Sequence, residues 1–383
     1  MIVHRLGALG LVMLAGALVG ACARAPSPEA PPVMKAEIAV PGEDNVVNVL
    51  NWTDYIAPDT IERFERETGI RVNYDVFDSN EVLETKLLTG HTGYDVVVPT
   101  DYFLERQAQH GILLPLDRAK LPHYQNLDPV VMTHLEGVDP GNRYGIPYAG
   151  VMTGIGYNVA AVKKVLGDVP IDSWRVIFDP KNAERLKACG FTMLDAEAEV
   201  FFSAKIWIGV DPASERLEDL RAVETLLKAV RPAVRYFNSS QYINDLANGE
   251  ICIALSWSGD VLQARDRAAE SHNGVEIRFV APKEGLLQSY DMLAIPADAQ
   301  HPNNAHKFID FLLRADTAAN FTRARKFPSG NLAAIPLLEP ELRADEIIFP
   351  PAEVRDRLLW HRAESLTYTR YANRAWTRVR TGH

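Results

Sequence analysis

Between residues 46 and 98, short β-branched runs alternate with amphipathic helices, and this alternation restricts the fold more than any other feature of the chain. VVNVL (46–50) reads as a buried strand. APDTIERFERETG follows, with Ile61 and Phe64 on one helical face, charges on the other and Gly69 as the stop. IRVNYDVF (70–77) alternates, placing Val72, Tyr74 and Val76 on one face. SNEVLETKLLTG has Ser79 positioned as a cap, a stripe of Val82, Leu83, Lys86 and Leu87, and Gly90 at its end. YDVVVP supplies a third strand. Strand, helix, strand, helix, strand predicts a parallel sheet with helical crossovers, hence an α/β fold.

The pattern changes at GNRYGIPYAGVMTGIGYN (141–158), where glycines alternate with aromatic and β-branched residues, which suits an extended crossover into a second lobe. Strands and helices resume in VFFSAKIWIG, in SSQYINDLANGEICIALSWSGD, in VEIRFVAP and YDMLAIP, and in HPNNAHKFIDFLLRAD, whose Ala305, Phe308, Ile309 and Leu312 share a face. No internal repeat is apparent. A body of this length is long for one core. The expected division is 45–148 with 275–328 as one lobe and 149–274 with 329–383 as the other.

Residues 1–21 combine Arg5 with an apolar run and small residues, as secretory signals do, and are short for a membrane span. The ending LVGAC (18–22) resembles the lipobox of bacterial lipoproteins, which implies lipidation of Cys22; an ordinary cleavage site with an incidental cysteine is the alternative. Residues 22–44, rich in Pro, Ala and Glu, read as an extended tether. Cys189 and Cys252 remain. An exported chain meets an oxidising compartment and neither cysteine has metal or redox spacing, so a structural disulfide is favoured over two buried thiols. The formal charge of −10 argues against nucleic acid, which calls for a basic footprint.

Catalytic signatures are lacking. The chain has no G-x-S-x-G, no H-E-x-x-H and no lysine-bearing phosphate loop, and TGIGYN is not one. His91, His110, His123 and His134 are scattered without ligand spacing, so neither a metal nor a cofactor is expected. Glu197 and Glu199 form a carboxylate pair, but nothing places them across a sugar. No enzyme activity is expected.

In open α/β sheets, ligands bind at the carboxyl ends of strands. Here those ends read Trp52, Thr53, Asp54, Tyr55; then Thr100, Asp101, Tyr102; then Trp257, Ser258, Gly259, Asp260; and a later strand is entered through Tyr290 and Asp291. Each cluster joins an aromatic ring to a carboxylate. An ammonium leaving water needs ionised carboxylates as acceptors, and aromatic faces add about 0.5–2 kcal/mol. The implied ligand is a slim aliphatic cation. The same residues also admit structural work, since Asp54 and Asp260 can cap the following helices and a strand-end tryptophan can simply pack.

Several stretches carry a resemblance: NWTDYIAPDTIERFERETGI, YDVFDSNEVLETKLLTG, YDVVVP, LERQ, PLDRAKLP, NLDP, TGIGYNV, YFNSSQYINDLANGEICIALSWSGDV, PKEG and NRAWTRV. Together they span about residues 46 to 380, and the chain resembles the periplasmic putrescine-binding and wider polyamine-binding proteins of bacterial ATP-driven uptake systems. The resemblance implies a two-lobed periplasmic binding protein of the type 2 solute-binding fold, with a ligand cleft between the lobes. It further implies a polyamine ligand, a membrane permease as partner and a monomer, held by its lipid anchor in the periplasm or on the extracytoplasmic face.

Carried over by position, Trp52 resembles the ring against the ligand chain and Asp54 a carboxylate receiving one ammonium. Thr53 and Thr100 stand where serines are common. Glu199 resembles a polar partner from the second lobe, Trp257 and Asp260 the second aromatic wall and its carboxylate, and Asp291 a further anionic contact. Cys189 and Cys252 match the family disulfide. Three positions depart from the putrescine binders: Ser289 replaces an aromatic, Phe327 a tyrosine, and Tyr102 a small residue. Spermidine or another organic cation therefore stands beside putrescine as a candidate ligand, and an amine-sensing protein that docks to a signalling partner is the alternative to transport.

Overall fold

A computed structural model describes residues 43–382. The signal segment, Cys22 and nearly all of the expected tether lie outside the described residues. Among those described, no helix is long and apolar enough to cross a membrane.

The described chain forms β1 (Val46–Trp52), β2 (Arg71–Phe77), β3 (Val96–Val97), β4 (Gly145–Asn158), β5 (Phe191–Met193), β6 (Val234–Phe237), β7 (Ile253–Trp257), β8 (Ile277–Val280), β9 (Leu286–Ala294) and β10 (Leu358–Trp360). Their order is β2-β1-β3-β9-β4-β7-β5-β6, with β10 beside β9 and β8 beside β4. The opening alternation folds as its pattern predicts. β1 pairs in parallel with β2 and β3, and helices α1 (Thr60–Thr68) and α2 (Asn80–Thr89) make the crossovers. Gly69 closes α1 at φ 71°, and Ser79 Oγ accepts the Val82 N–H at 3.3 Å to cap α2. The apolar face expected of β2 is only half covered, with Val76 53% exposed, because β2 is the sheet edge.

Two strands carry the chain between two hydrophobic cores. β4 pairs with β9 over Gly145–Met152, then with β7 from Thr153 to Tyr157, while β8 joins its final residues. Gly154 makes this crossing possible, since a Cβ there would meet the Phe279 ring and the Val280 carbonyl at 2.5 Å. The first core gathers Val47, Leu50, Phe64, Val97, Leu293 and Phe308. The second gathers Trp174, Phe178, Phe191, Leu255, Leu286 and Trp376. The fold is thus α/β and two-lobed.

Two segments show how the chain is shared between the cores. Ile277, Leu286 and Leu287 pack in the second core, because β8 bonds to the far end of β4. After Phe327 the chain stays with the first sheet's helices: Asn331 bridges Leu127, and Ala334 and Leu338 pack on Ala318 and Ala319. The expected disulfide is present, joining Cys189 to Cys252 with Cα atoms 5.5 Å apart, just before the adjacent parallel strands β5 and β7.

Candidate functional site

The carboxyl ends of β1, β3 and β7 meet the middle of β9 where the two cores adjoin, and they line a cavity there. Trp52 is the last residue of β1. Its Nε1–H donates to the Val98 carbonyl at 2.8 Å, and its ring packs 4.5 Å from Phe77, so the indole is held rigidly. Trp257 ends β7, its Nε1–H donates to Glu199 Oε2 at 2.7 Å, and its ring stands edge-on, 5.6 Å from Trp52. Two indoles anchored by different strands therefore form a corner of the cavity.

Three buried carboxylates line the same space. Asp291 accepts Thr100 Oγ1–H at Oδ1 and Tyr55 O–H at Oδ2, both at 2.7 Å. Asn80 in turn donates to Thr100 Oγ1 at 2.8 Å, which orients that hydroxyl toward Asp291. Asp260 lies in the first turn of the helix Ser258–Glu270, which begins directly after β7. Its Oδ2 accepts Tyr242 O–H at 2.7 Å and its Oδ1 accepts Gln263 Nε2–H at 3.3 Å. Glu199 Oε2 accepts the Thr153 hydroxyl as well as the Trp257 indole.

Every one of these donors is neutral; no lysine or arginine is among them. Burial, which penalises the ionised form, pushes Asp260 and Glu199 up to about 7 and Asp291 up to about 6. The cavity therefore concentrates carboxylates that no basic side chain hydrogen-bonds, with Arg267 and Arg325 acting on Asp260 only at a distance. A cation entering it replaces the missing counter-charges.

The structure brings Trp52, Thr53, Thr100, Glu199, Trp257, Asp260, Ser289, Asp291 and Phe327 to this cavity. Two expected residues lie elsewhere. Asp54 adopts φ 55° immediately after β1, and the resulting turn carries its half-exposed side chain to Arg267 Nη2 at 3.1 Å. Tyr102, in helix α3 (Asp101–Gln109), is buried against Phe103 and Ala198, and its ring lies 4.7 Å from that of His361; it lines a neighbouring cavity. The helical turn beyond Thr100 carries it away from Asp291.

Tyr55, read as part of the first strand-end cluster, also lines the cavity, as do Phe77, Asp78, Ser239, Ser240 and Ile243, which were not assigned to it from sequence. Phe77 and Asp78 follow the strand-end rule applied to β2. Tyr242 had no comparable signal: it reaches Asp260 from the helix Gln241–Ala247, a contact that only packing creates. Phe327 is 1% exposed, and its ring occupies the space a side chain at Gly259 would need, with Cδ2 2.5 Å from a Cβ built there.

Such a site, at the junction of two lobes and built for binding, defines a solute-binding protein. The chain belongs to the family described as bacterial extracellular solute-binding protein, whose profile matches residues 59–350. This is an extracytoplasmic, non-enzymatic family of binding proteins. The chain is 48% identical over 342 residues to the putrescine-binding periplasmic protein PotF of Escherichia coli strain K12, covering 89% of this chain and 92% of that one. It is 45% identical over 348 residues to the putrescine-binding periplasmic protein SpuD of Pseudomonas aeruginosa strain UCBPP-PA14, covering 91% and 95% respectively. Among solved structures, the substrate-binding protein PotD of a spermidine/putrescine ABC transporter from Streptococcus pneumoniae aligns with a TM-score of 0.69 and 25% identity, over 88% of this chain and 99% of that one.

Proposed function

We propose that the protein captures putrescine or a related di- or polyamine between its lobes and delivers it to the membrane permease of an ATP-driven importer. The observation that carries this reading is the set of buried carboxylates Glu199, Asp260 and Asp291, hydrogen-bonded only by neutral donors in a cavity cornered by Trp52 and Trp257. Asp291 and Asp260 receive the ammonium groups, and the two indoles flank the methylene chain. Burial of four methylenes contributes about 3 kcal/mol, and each indole face about 0.5–2 kcal/mol to a cation beside it. The names borne by the relatives support the ligand class.

Ser289, only 2% exposed and opposite Val151 on β4, leaves one wall less filled than an aromatic would, and Phe327 offers a ring without a hydroxyl. Both leave room for spermidine beside putrescine. Because the walls come from both lobes, the ligand favours the closed arrangement over the open one by its differential contacts. The protein acts as a monomer, tethered through a lipid on Cys22 in the periplasm or on the extracytoplasmic face. Isothermal titration with putrescine, spermidine, spermine, cadaverine and agmatine tests the reading. Failure of every amine to bind below about millimolar refutes it.

A further inference from the structure

Beside the cluster of Tyr102, Phe103 and Ala198 lies a second cavity. The helix Glu197–Trp207 serves both chambers, with Glu199 on the first and Glu197 on the second. Glu81 and Glu84 reach the second chamber from α2, and His361 and Glu364 from the C-terminal segment. Glu84 is satisfied by a two-pronged contact with Arg106, both bonds at 2.7 Å. Lys205 is engaged nearby, donating to the carbonyls of Pro212 and Ser214.

That leaves Glu197, 4% exposed, with Oε1 lacking any hydrogen-bond partner. His361, 6% exposed, likewise has an unpartnered Nδ1. Leaving a buried acceptor unmade is costly, so these atoms point to an occupant that donates hydrogen bonds. Among the described residues no group of three or more His, Cys, Asp or Glu side chains could hold a metal ion, which directs the choice to an organic cation. The walls again join carboxylates to an aromatic ring, that of Tyr102, and add Arg106, which is held by Glu84 and lies over the Phe103 ring at 4.6 Å. We propose that this chamber is a second cation site, which takes one primary ammonium group against Glu197, with Glu364 and Glu81 supplying the surrounding negative charge. Its walls come from helices of the first sheet on one side and from Glu197 and the C-terminal segment on the other.

The probe is methylammonium chloride, small enough to enter and carrying one ammonium, with sodium chloride at equal ionic strength as the control. Thermal unfolding of the full chain is followed in the wild type, in Asp260→Asn, which disables the first cavity, and in Glu197→Gln. Methylammonium is expected to raise the Tm beyond sodium in the wild type and in Asp260→Asn, with affinity about tenfold weaker in Glu197→Gln. A response lost in Asp260→Asn but kept in Glu197→Gln assigns the effect to the first cavity and overturns the proposal. So does equality of methylammonium and sodium in the wild type. Should Glu197→Gln fold poorly, Glu364→Gln serves in its place, and nuclear Overhauser contacts from methylammonium to the Tyr102 and His361 rings in the wild type decide directly. Their absence at saturation refutes the site. Putrescine binding, measured separately, stands or falls independently of these outcomes.

Discussion

Lowering the pH from 8 to 6 is expected to weaken amine binding by an amount the site itself sets. Burial raises Asp260 to about 7 and Asp291 to about 6, so the empty protein carries protons there that a diammonium ligand must expel. A primary amine stays protonated throughout this range, so only the protein's titration matters. With those values, both aspartates are ionised in about 0.9 of molecules at pH 8 and in about 0.05 at pH 6. Affinity therefore falls about twentyfold, or about 1.8 kcal/mol. If Glu199, also at about 7, must ionise as well, the fall steepens by about another tenfold. Titration calorimetry in buffers of different ionisation enthalpy checks the cause as well as the size. At pH 6.5 the two aspartates should release about one proton per ligand bound, and at pH 8.5 almost none. An affinity that is flat from pH 6 to pH 8, with no proton release, would show that these carboxylates are not the ligand's counter-charges. The same groups fix a stability trend. Their folded pKa values lie above the unfolded ones, so the empty protein holds extra protons between about pH 4 and 7 and loses that stability as pH rises through the folded values. The ligand-induced rise in Tm is accordingly larger at pH 8 than at pH 6.

Other perturbations separate the parts of the site. Asp260→Asn keeps the shape and removes one charge, so putrescine affinity at pH 8 should drop about tenfold to a hundredfold, matching a charge-assisted hydrogen bond of about 1.5–3 kcal/mol; unchanged affinity in calorimetry would leave Asp260 only its contacts with Tyr242 and Gln263. Gly259→Ala drives a methyl into the Phe327 ring, which belongs to the first core while Gly259 opens a helix beside the second. Ligand affinity and thermal stability should both fall, since the ring is 1% exposed and lines the cavity; an unchanged affinity and Tm would contradict the close contact. Replacing Cys189 and Cys252 with serine reopens a chain segment with a sequence separation of 63 residues and should lower unfolding free energy by about 2–4 kcal/mol in denaturant titration, with the ligand site unaltered.

Local chemistry is enough to determine much of this protein. Periodic strands and helices from Val46 to Val97, stopped by Gly69 and capped by Ser79, determine the parallel β2-β1-β3 unit, because hydrophobic period and turn chemistry act over a few residues. The strand-end rule then finds Trp52, Thr100, Trp257 and Asp260, since each stands where a strand gives way to a helix or turn, whereas Asp291, read from sequence as a strand entry, sits inside β9 because that strand already starts at Leu286. Local pattern cannot tell where a side chain points once the backbone turns. Asp54 reads like Asp260, yet φ 55° sends it to Arg267 on the surface, and Tyr102 lies two residues past Thr100, which faces the cavity. Only the tertiary structure pairs Tyr55 with Asp291 across 236 positions, joins Tyr242 to Asp260, and carries β4 and β9 from one core to the other. The basicity of the site is decided at the same level. A carboxylate's pKa depends on how completely its neighbours exclude water and whether a cation is among them, and both are properties of packing between segments far apart in the chain.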